Sequence, residues 1–193
     1  MTDVICSIKK YYLCKSKNIH TMFDIDKSKA INSLLFVIRE LGVELSGKHK
    51  IFKTLYFADQ KHLIRYGRPI TGDTYIKMKY GPVPSYIKDI AYEKKEKGLV
   101  RQIGEYNLQS NYSINMDDLS ESEIECLREA ISENKDCDFS KLTSKSHDKA
   151  WGNTAMNNPI DYMDIAKAAT DDKDMLEYIR INALNDSFQF ATV

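Results

Sequence analysis

Residues 53–85, KTLYFADQKHLIRYGRPITGDTYIKMKYGPVPS, decide the fold. They hold the body of a helix, a turn, a strand, its stop and the start of another helix. The helix belongs to a longer pattern from about Lys48 to Tyr66, closed by Gly67, a residue type that readily takes the left-handed conformation ending helices. Phe52, Leu55, Tyr56, Leu63 and Tyr66 form its main apolar stripe, with Phe57 and Ile64 nearly opposite. A helix apolar on two sides is packed from both and sits centrally. Arg68 to Asp73 is a turn-rich link, and from Thr74 to Tyr80 the chain alternates as a half-buried strand does. Ile76, Met78 and Tyr80 share one face; Tyr75, Lys77 and Lys79 share the other, the outward one. Gly81-Pro82-Val83-Pro84 is expected to stop the strand, because proline cannot donate to a ladder. Pro84 then opens the next helix, which turns Tyr86, Ile87, Ile90 and Ala91 inward.

Upstream, Ala30, Ile31, Leu34, Leu35, Val37, Ile38 and Leu41 recur at helical spacing, with Asp24 or Asp26 as N-cap and Gly42 after the last turn. Downstream, strands are expected near 99–103 and 106–114. Ser120 and Glu123 form a capping box, a helix covers roughly Phe139 to Trp151, and short helices follow near 161–169 and 172–185. The fold class is α+β, mainly α-helical, a helical domain with a small antiparallel sheet of about three strands. Residues 1–21 show no sustained period and read as an N-terminal extension, with Met22 the expected physiological start. Residues 22–153 form the main domain, and 154–193 an acidic helical extension packed on it.

The chain has 193 residues, 42% hydrophobic and 29% charged, with 28 basic and 28 acidic side chains. That balance excludes wholesale disorder and a protein whose entire surface grips nucleic acid. The zero hides a split: residues 1–100 carry a net +9 and residues 101–193 a net −9. Two such halves either attract each other within one fold or face different partners. No apolar run reaches the length of a membrane span, and no signal-peptide core precedes the first lysines. Cys6, Cys14, Cys126 and Cys137 make no metal-like spacing, and fit reduced thiols in a cytoplasmic protein. Twelve tyrosines suit surfaces that contact macromolecules.

Catalytic motifs are missing: no phosphate loop, no nucleophile elbow, no zinc-protease helix. No enzyme activity, cofactor or metal is therefore expected. Asp59 falls in the middle of an apolar stripe, where a carboxylate needs partners. Either it clamps the turn at 71–74 to the helix, with Arg68, Lys79 and Tyr80 as further candidate partners, or it is a general base in a cleft. His62 beside it reads as a structural histidine. His147 and Trp151, four apart on one helix, are either a packing pair or an interface hot spot. Lys77 and Lys79, with Tyr75 interleaved, and Lys88, Lys94, Lys95 and Lys97 on the helix after them form either a solvated face or a nucleic-acid patch.

The block 53–85 resembles the signature of the Panacea domain, the SocA-like antitoxin family, whose members include phage-associated proteins. Three motifs carry the resemblance: K-x-L-Y-F-A-D with Tyr56, Asp59 and the following His62; Y-G-R-P-I-T-G-D-x-Y with Arg68, Pro69, Thr71, Gly72 and Asp73; and K-Y-G-P-V-P-S with Gly81, Pro82 and Pro84. Ser146-His147 and Trp151 are similar to the family's later landmark. The resemblance implies an antitoxin that neutralises the toxin encoded by a neighbouring gene, commonly by direct protein–protein binding, as in phage defence. One family member instead delivers its toxin to the ClpXP protease.

The expected partner-binding surface is Tyr75, Lys77, Lys79, Tyr80, Tyr86 and the helix of His147 and Trp151. Replacing Lys77 and Lys79 by Glu is expected to weaken binding and leave the fold intact. Two alternatives stay open. One is a DNA-binding autoregulator using the basic half, with salt-dependent affinity. The other is a ClpXP adaptor with a contact segment at 187–193.

Overall fold

The computed structural model describes residues 23–189. The expected extension 1–21, Met22, Cys6 and Cys14, and residues 190–193 of the proposed protease-contact segment lie outside them. Helix α1 spans Lys27–Leu41; Asp26 caps it by accepting from Lys29 N–H, and Gly42 ends it at positive φ. Helix α2, Lys48–Tyr66, is the centre of the molecule. Every residue from Ile51 to Asp59 is buried, because α1, the helices over Glu121–Asn134, Phe139–Ser146 and Tyr162–Ala169, and the strand Gly81–Pro84 all pack against it. Of its apolar stripe only Tyr66 is exposed.

The architecture is α+β and mainly helical, as the pattern predicts. The strands differ in detail. Strands β1 (Tyr75–Met78) and β2 (Gly81–Pro84) form one antiparallel pair, β3 (Val100–Ile103) and β4 (Asn107–Ser110) a second. The expectation that Gly81–Pro84 ends strand structure is corrected, and the register explains how two prolines fit. Ser85 N–H donates to Thr74 O, so the hydrogen-bonded pairs are 74–85, 76–83 and 78–81. Pro82 and Pro84 stand opposite Lys77 and Tyr75, at positions that need no donor. The amides of Tyr75 and Lys77 turn to the other edge instead. There Lys77 N–H donates to Asn158 O, while Asn157 and Ile160 N–H donate to Lys77 O and Tyr75 O.

Helix α3 (Ser85–Ala91) follows β2 directly, with Pro84 as its N-cap residue. The second sheet is anchored to the start of α2, where Lys48 N–H donates to Tyr106 O and Leu108 N–H to Ser46 O. Helix α4, Glu121–Asn134, begins with the expected Ser120–Glu123 capping box. The single helix expected over 139–151 is two, α5 (Phe139–Ser146) and α6 (Lys149–Asn153). The break falls at His147 and Asp148, where Asp148 accepts from Trp151 N–H and starts a new helix. Helices α7 (Tyr162–Ala169) and α8 (Lys173–Gln189) complete the chain. Ile160, Tyr162, Ile165 and Ala166 are fully part of the core. Among the described residues no helix is long and apolar enough to cross a membrane.

The charge split is largely resolved inside the fold along one seam. Glu129 takes a two-bond clamp from Arg65, Glu133 pairs with Lys61 and Lys145, and the buried Glu123 holds both Lys29 and Arg68. Basic α2 and acidic α4 thus neutralise each other where they touch.

Candidate functional site

The motif residues build a buried polar framework. Asp59 is 1% exposed. Its Oδ1 accepts from Ile70 and Thr71 N–H at 2.8 and 3.0 Å, and its Oδ2 from Thr71 Oγ1 and Tyr75 Oη at 2.6 and 2.8 Å. Burial pushes its pKa up and the four hydrogen bonds pull it back only in part. Neither Arg68, Lys79 nor Tyr80 touches it; the turn amides do. With its oxygens fully engaged and no solvent access, Asp59 is a clamp and lacks the reach of a general base.

Asp73 repeats the device one turn on. Its two oxygens accept from Tyr86 and Ile87 N–H, both at 2.9 Å, which caps α3. Burial, with the nearby Asp59 charge adding to it, raises this carboxyl to about 6 against the opposing amides. Tyr162 Oη donates to Asp73 O and Tyr56 Oη to Asp148. His62 is wholly buried between Arg68 O and Ser122 Oγ, at 2.7 and 3.1 Å. Gly72 has φ +64°, and a Cβ there would lie 2.2 Å from Asp24 O.

The expected binding surface is largely internal. Tyr75 has no exposure and Lys77 only 9%, so the face assigned outward points in. The alternation is real, but an alternating strand does not say which face is buried when both carry amphipathic side chains. Tyr75 meets Tyr56 and Tyr162 edge-on. Lys77 Nζ donates to Thr154 O at 2.7 Å and sits 4.1 Å from the Trp151 ring centre. His147 stacks on the same indole at 3.6 Å and 7°, and Trp151 Nε1 donates to Met78 O at 3.0 Å. His147 and Trp151 are half-buried and brace the end of β1. Tyr86 is buried too, its hydroxyl donating to Glu96. Of the seven residues only Lys79 and Tyr80 are solvent-exposed.

Those two stand in the wall of a groove of about 1170 Å³. The start of α2, the β1–β2 turn, the end of α3, the β3–β4 turn and α5 all contribute to it. Leu45, Tyr80, Tyr92, Tyr106 and Phe139, all large and exposed, line it. Lys48 and Lys79 lie over the rings of Tyr92 and Tyr80. At the inner wall, Lys53 is almost completely buried, its Nζ donating to Pro82 O at 2.6 Å. Burial lowers its pKa to about 7. His49 packs at a tilt against the Phe139 ring, and its pKa is lowered to about 4, by burial first and the Lys53 charge second. Gly81 permits this packing, since a Cβ there would lie 2.3 Å from Ser146 Oγ and 2.8 Å from Lys53 Cε. Sequence reading missed the groove because its residues come from five separate segments and share no local period. Among the described residues no group of His, Cys, Asp and Glu is placed to hold a metal ion.

The family model of the SocA-like antitoxin, Panacea domain, matches residues 51–152. The chain belongs to this family. The matched stretch runs from α2 into α6, so it includes the Asp59 clamp, both sheets and the His147–Trp151 stack. Membership supports a general antitoxin role, with a toxin as the kind of partner the family implies. No curated protein and no solved structure matches the chain.

Proposed function

We propose that this protein is the antitoxin of a toxin–antitoxin pair and neutralises the product of an adjacent gene by binding it directly, in the cytoplasm and without catalysing a reaction. One observation carries the reading beyond family membership. Exposed aromatic side chains and lysines that, among the described residues, form no salt bridge gather at one groove, on a domain whose other motif residues are satisfied internally. Aromatic anchors of this kind dominate protein–protein interface energies, and the groove is framed by helices and strand turns of the folded domain.

The test is co-expression. The neighbouring reading frame is placed under a tight inducible promoter, with and without this chain, and growth and co-purification are followed. Relief of toxicity together with a recoverable 1:1 or higher complex is the expected result. Relief without a complex, with the neighbour lost in a ClpXP-dependent way, would replace direct binding by the adaptor reading. A harmless neighbour would remove the antitoxin reading.

A further inference from the structure

We infer that the groove is the docking site for an acidic segment of the partner that also carries an apolar or aromatic anchor. The inference rests on the antitoxin reading and names the chemistry of the contact. Six lysines line the groove, Lys48, Lys50, Lys53, Lys79, Lys88 and Lys94, against two glutamates, Glu44 and Glu105. Among the described residues none of the six forms a salt bridge. The contrast with the opposite side is sharp: Lys29, Lys61, Arg65, Arg68 and Lys145 are all matched by carboxylates of α4. Folding therefore neutralises one side of α2 and leaves the surplus positive charge at its other end.

That end is also the N-terminus of α2, capped by Gly47 with no side-chain acceptor. Its dipole adds to the lysines in favouring an anion. Lys53 sharpens the demand. Its Nζ is held at the inner wall of the groove by one carbonyl oxygen and no carboxylate, so an acidic group bound in the groove would favour its charged form.

The groove lining favours a polypeptide over a nucleic acid. Phe52, Leu142, Val83 and Met78 give it apolar surface for a side chain to enter. No arginine lines it, although arginine is the residue that best forks onto phosphate. Glu44 and Glu105 would repel a phosphate backbone yet leave room for discrete carboxylates beside the lysines.

The test uses the purified full chain and the purified product of the adjacent reading frame. Treating their complex with a zero-length carbodiimide joins amines only to carboxylates in contact, and mass spectrometry maps the links. Links from Lys79, Lys88 or Lys94 to Asp or Glu within one segment of the partner are expected. In parallel, Lys79→Glu with Lys94→Glu reverses two exposed groove charges. Lys97→Glu with Lys149→Glu makes the same net change on exposed residues outside the groove lining. Melting curves establish that both pairs fold. The groove pair should weaken the complex at least 10-fold and abolish growth rescue, and the control pair should do neither. Links confined to lysines outside the groove, or equal binding by both pairs, overturn the inference and leave the antitoxin reading standing. A wild-type chain that neither binds nor rescues removes the reading and the inference together. A 20-base-pair DNA probe whose binding is lost in the groove pair, while the protein complex persists, overturns the inference in favour of nucleic acid.

Discussion

Tyr75 Oη lies 2.8 Å from Asp59 Oδ2 and donates to a carboxylate that, among the described residues, no cation neutralises. The bond joins the middle of α2 to the first residue of β1. Tyr75→Phe removes one donor and leaves three, so it should cost about 1–2 kcal/mol. Asp59→Ala strands four buried donors at once and should cost about 3 kcal/mol or more. Urea unfolding of the two variants checks the ranking. Equal stabilities would show that the Asp59 clamp does not hold the turn.

Lys77 and Lys79 are two residues apart and should behave oppositely. Lys77→Glu places a carboxylate against Thr154 O and Gly152 O and beside the face of Trp151, at a cost of about 2–4 kcal/mol. Lys79→Glu changes an exposed side chain and should alter stability by no more than about 0.5 kcal/mol. Thermal melts of the single variants distinguish them. A stable Lys77→Glu protein would return that residue to the surface.

Lys53 gives stability a pH dependence of definite sign. Its folded pKa, about 7, lies below the ordinary value of 10.5. Between those values the unfolded chain binds a proton the folded chain has released, so stability rises as pH rises from 7 toward 10. Lys48, also lowered by burial, adds in the same direction. The melting temperature should climb from pH 7 to 9, and most of the climb should disappear in Lys53→Met. An unchanged slope in that variant would count against a deprotonating Lys53.

Glu123 acts at the acid end. Its folded pKa is lowered by Lys29, Ser120 N–H and Arg68, which outweigh the opposing effect of burial. Its contribution is present above the ordinary carboxylate value near 4.5 and is lost as pH falls through the lower folded value. Glu123→Gln should cost about 2–4 kcal/mol at pH 7 and close the gap to wild type on acidification. A gap that persists at pH 3 would assign the loss to packing.

Gly72 and Gly104 both have positive φ, but only Gly72 is crowded. Gly104→Ala should cost about 1 kcal/mol from backbone conformation alone. Gly72→Ala drives a methyl into Asp24 O and should cost several-fold more, visible as a lower urea midpoint. Similar midpoints would mean that the 23–26 segment yields.

Local signals made much of the fold legible. Gly42 and Gly67 mark the ends of α1 and α2, the Ser120–Glu123 box marks the start of α4, and the apolar stripes locate α1 and α2. Asp59 betrayed its turn by standing in an apolar stripe. What stayed hidden depended on distant partners. Gly81–Pro84 becomes a strand because its prolines fall opposite Tyr75 and Lys77, whose outer edge is engaged by residues 157–160 through the Tyr75 carbonyl and the Lys77 N–H and carbonyl. The same segment helps turn Tyr75 inward, where Asp59 and Tyr162 receive it. Asp148 breaks a helix that periodicity joins, because its carboxylate caps Trp151 and accepts from Tyr56. The groove escaped notice because unpaired charge is a property of the assembled surface.

The pairing of β1 with residues 157–160 also sets a schedule for synthesis. Some 80 residues separate the strand from the segment that completes its second edge. At roughly 5–20 residues per second, a ribosome leaves that edge open for several seconds, with β2 already able to pair on the other side. The nascent chain cannot close the second edge of β1, bury Tyr75 beside Tyr162 or seat Lys77 on Thr154 until residues 154–162 have been made. The core around Tyr75 and Lys77 is thus completed late in synthesis, after the segment that carries residues 154–162 has emerged.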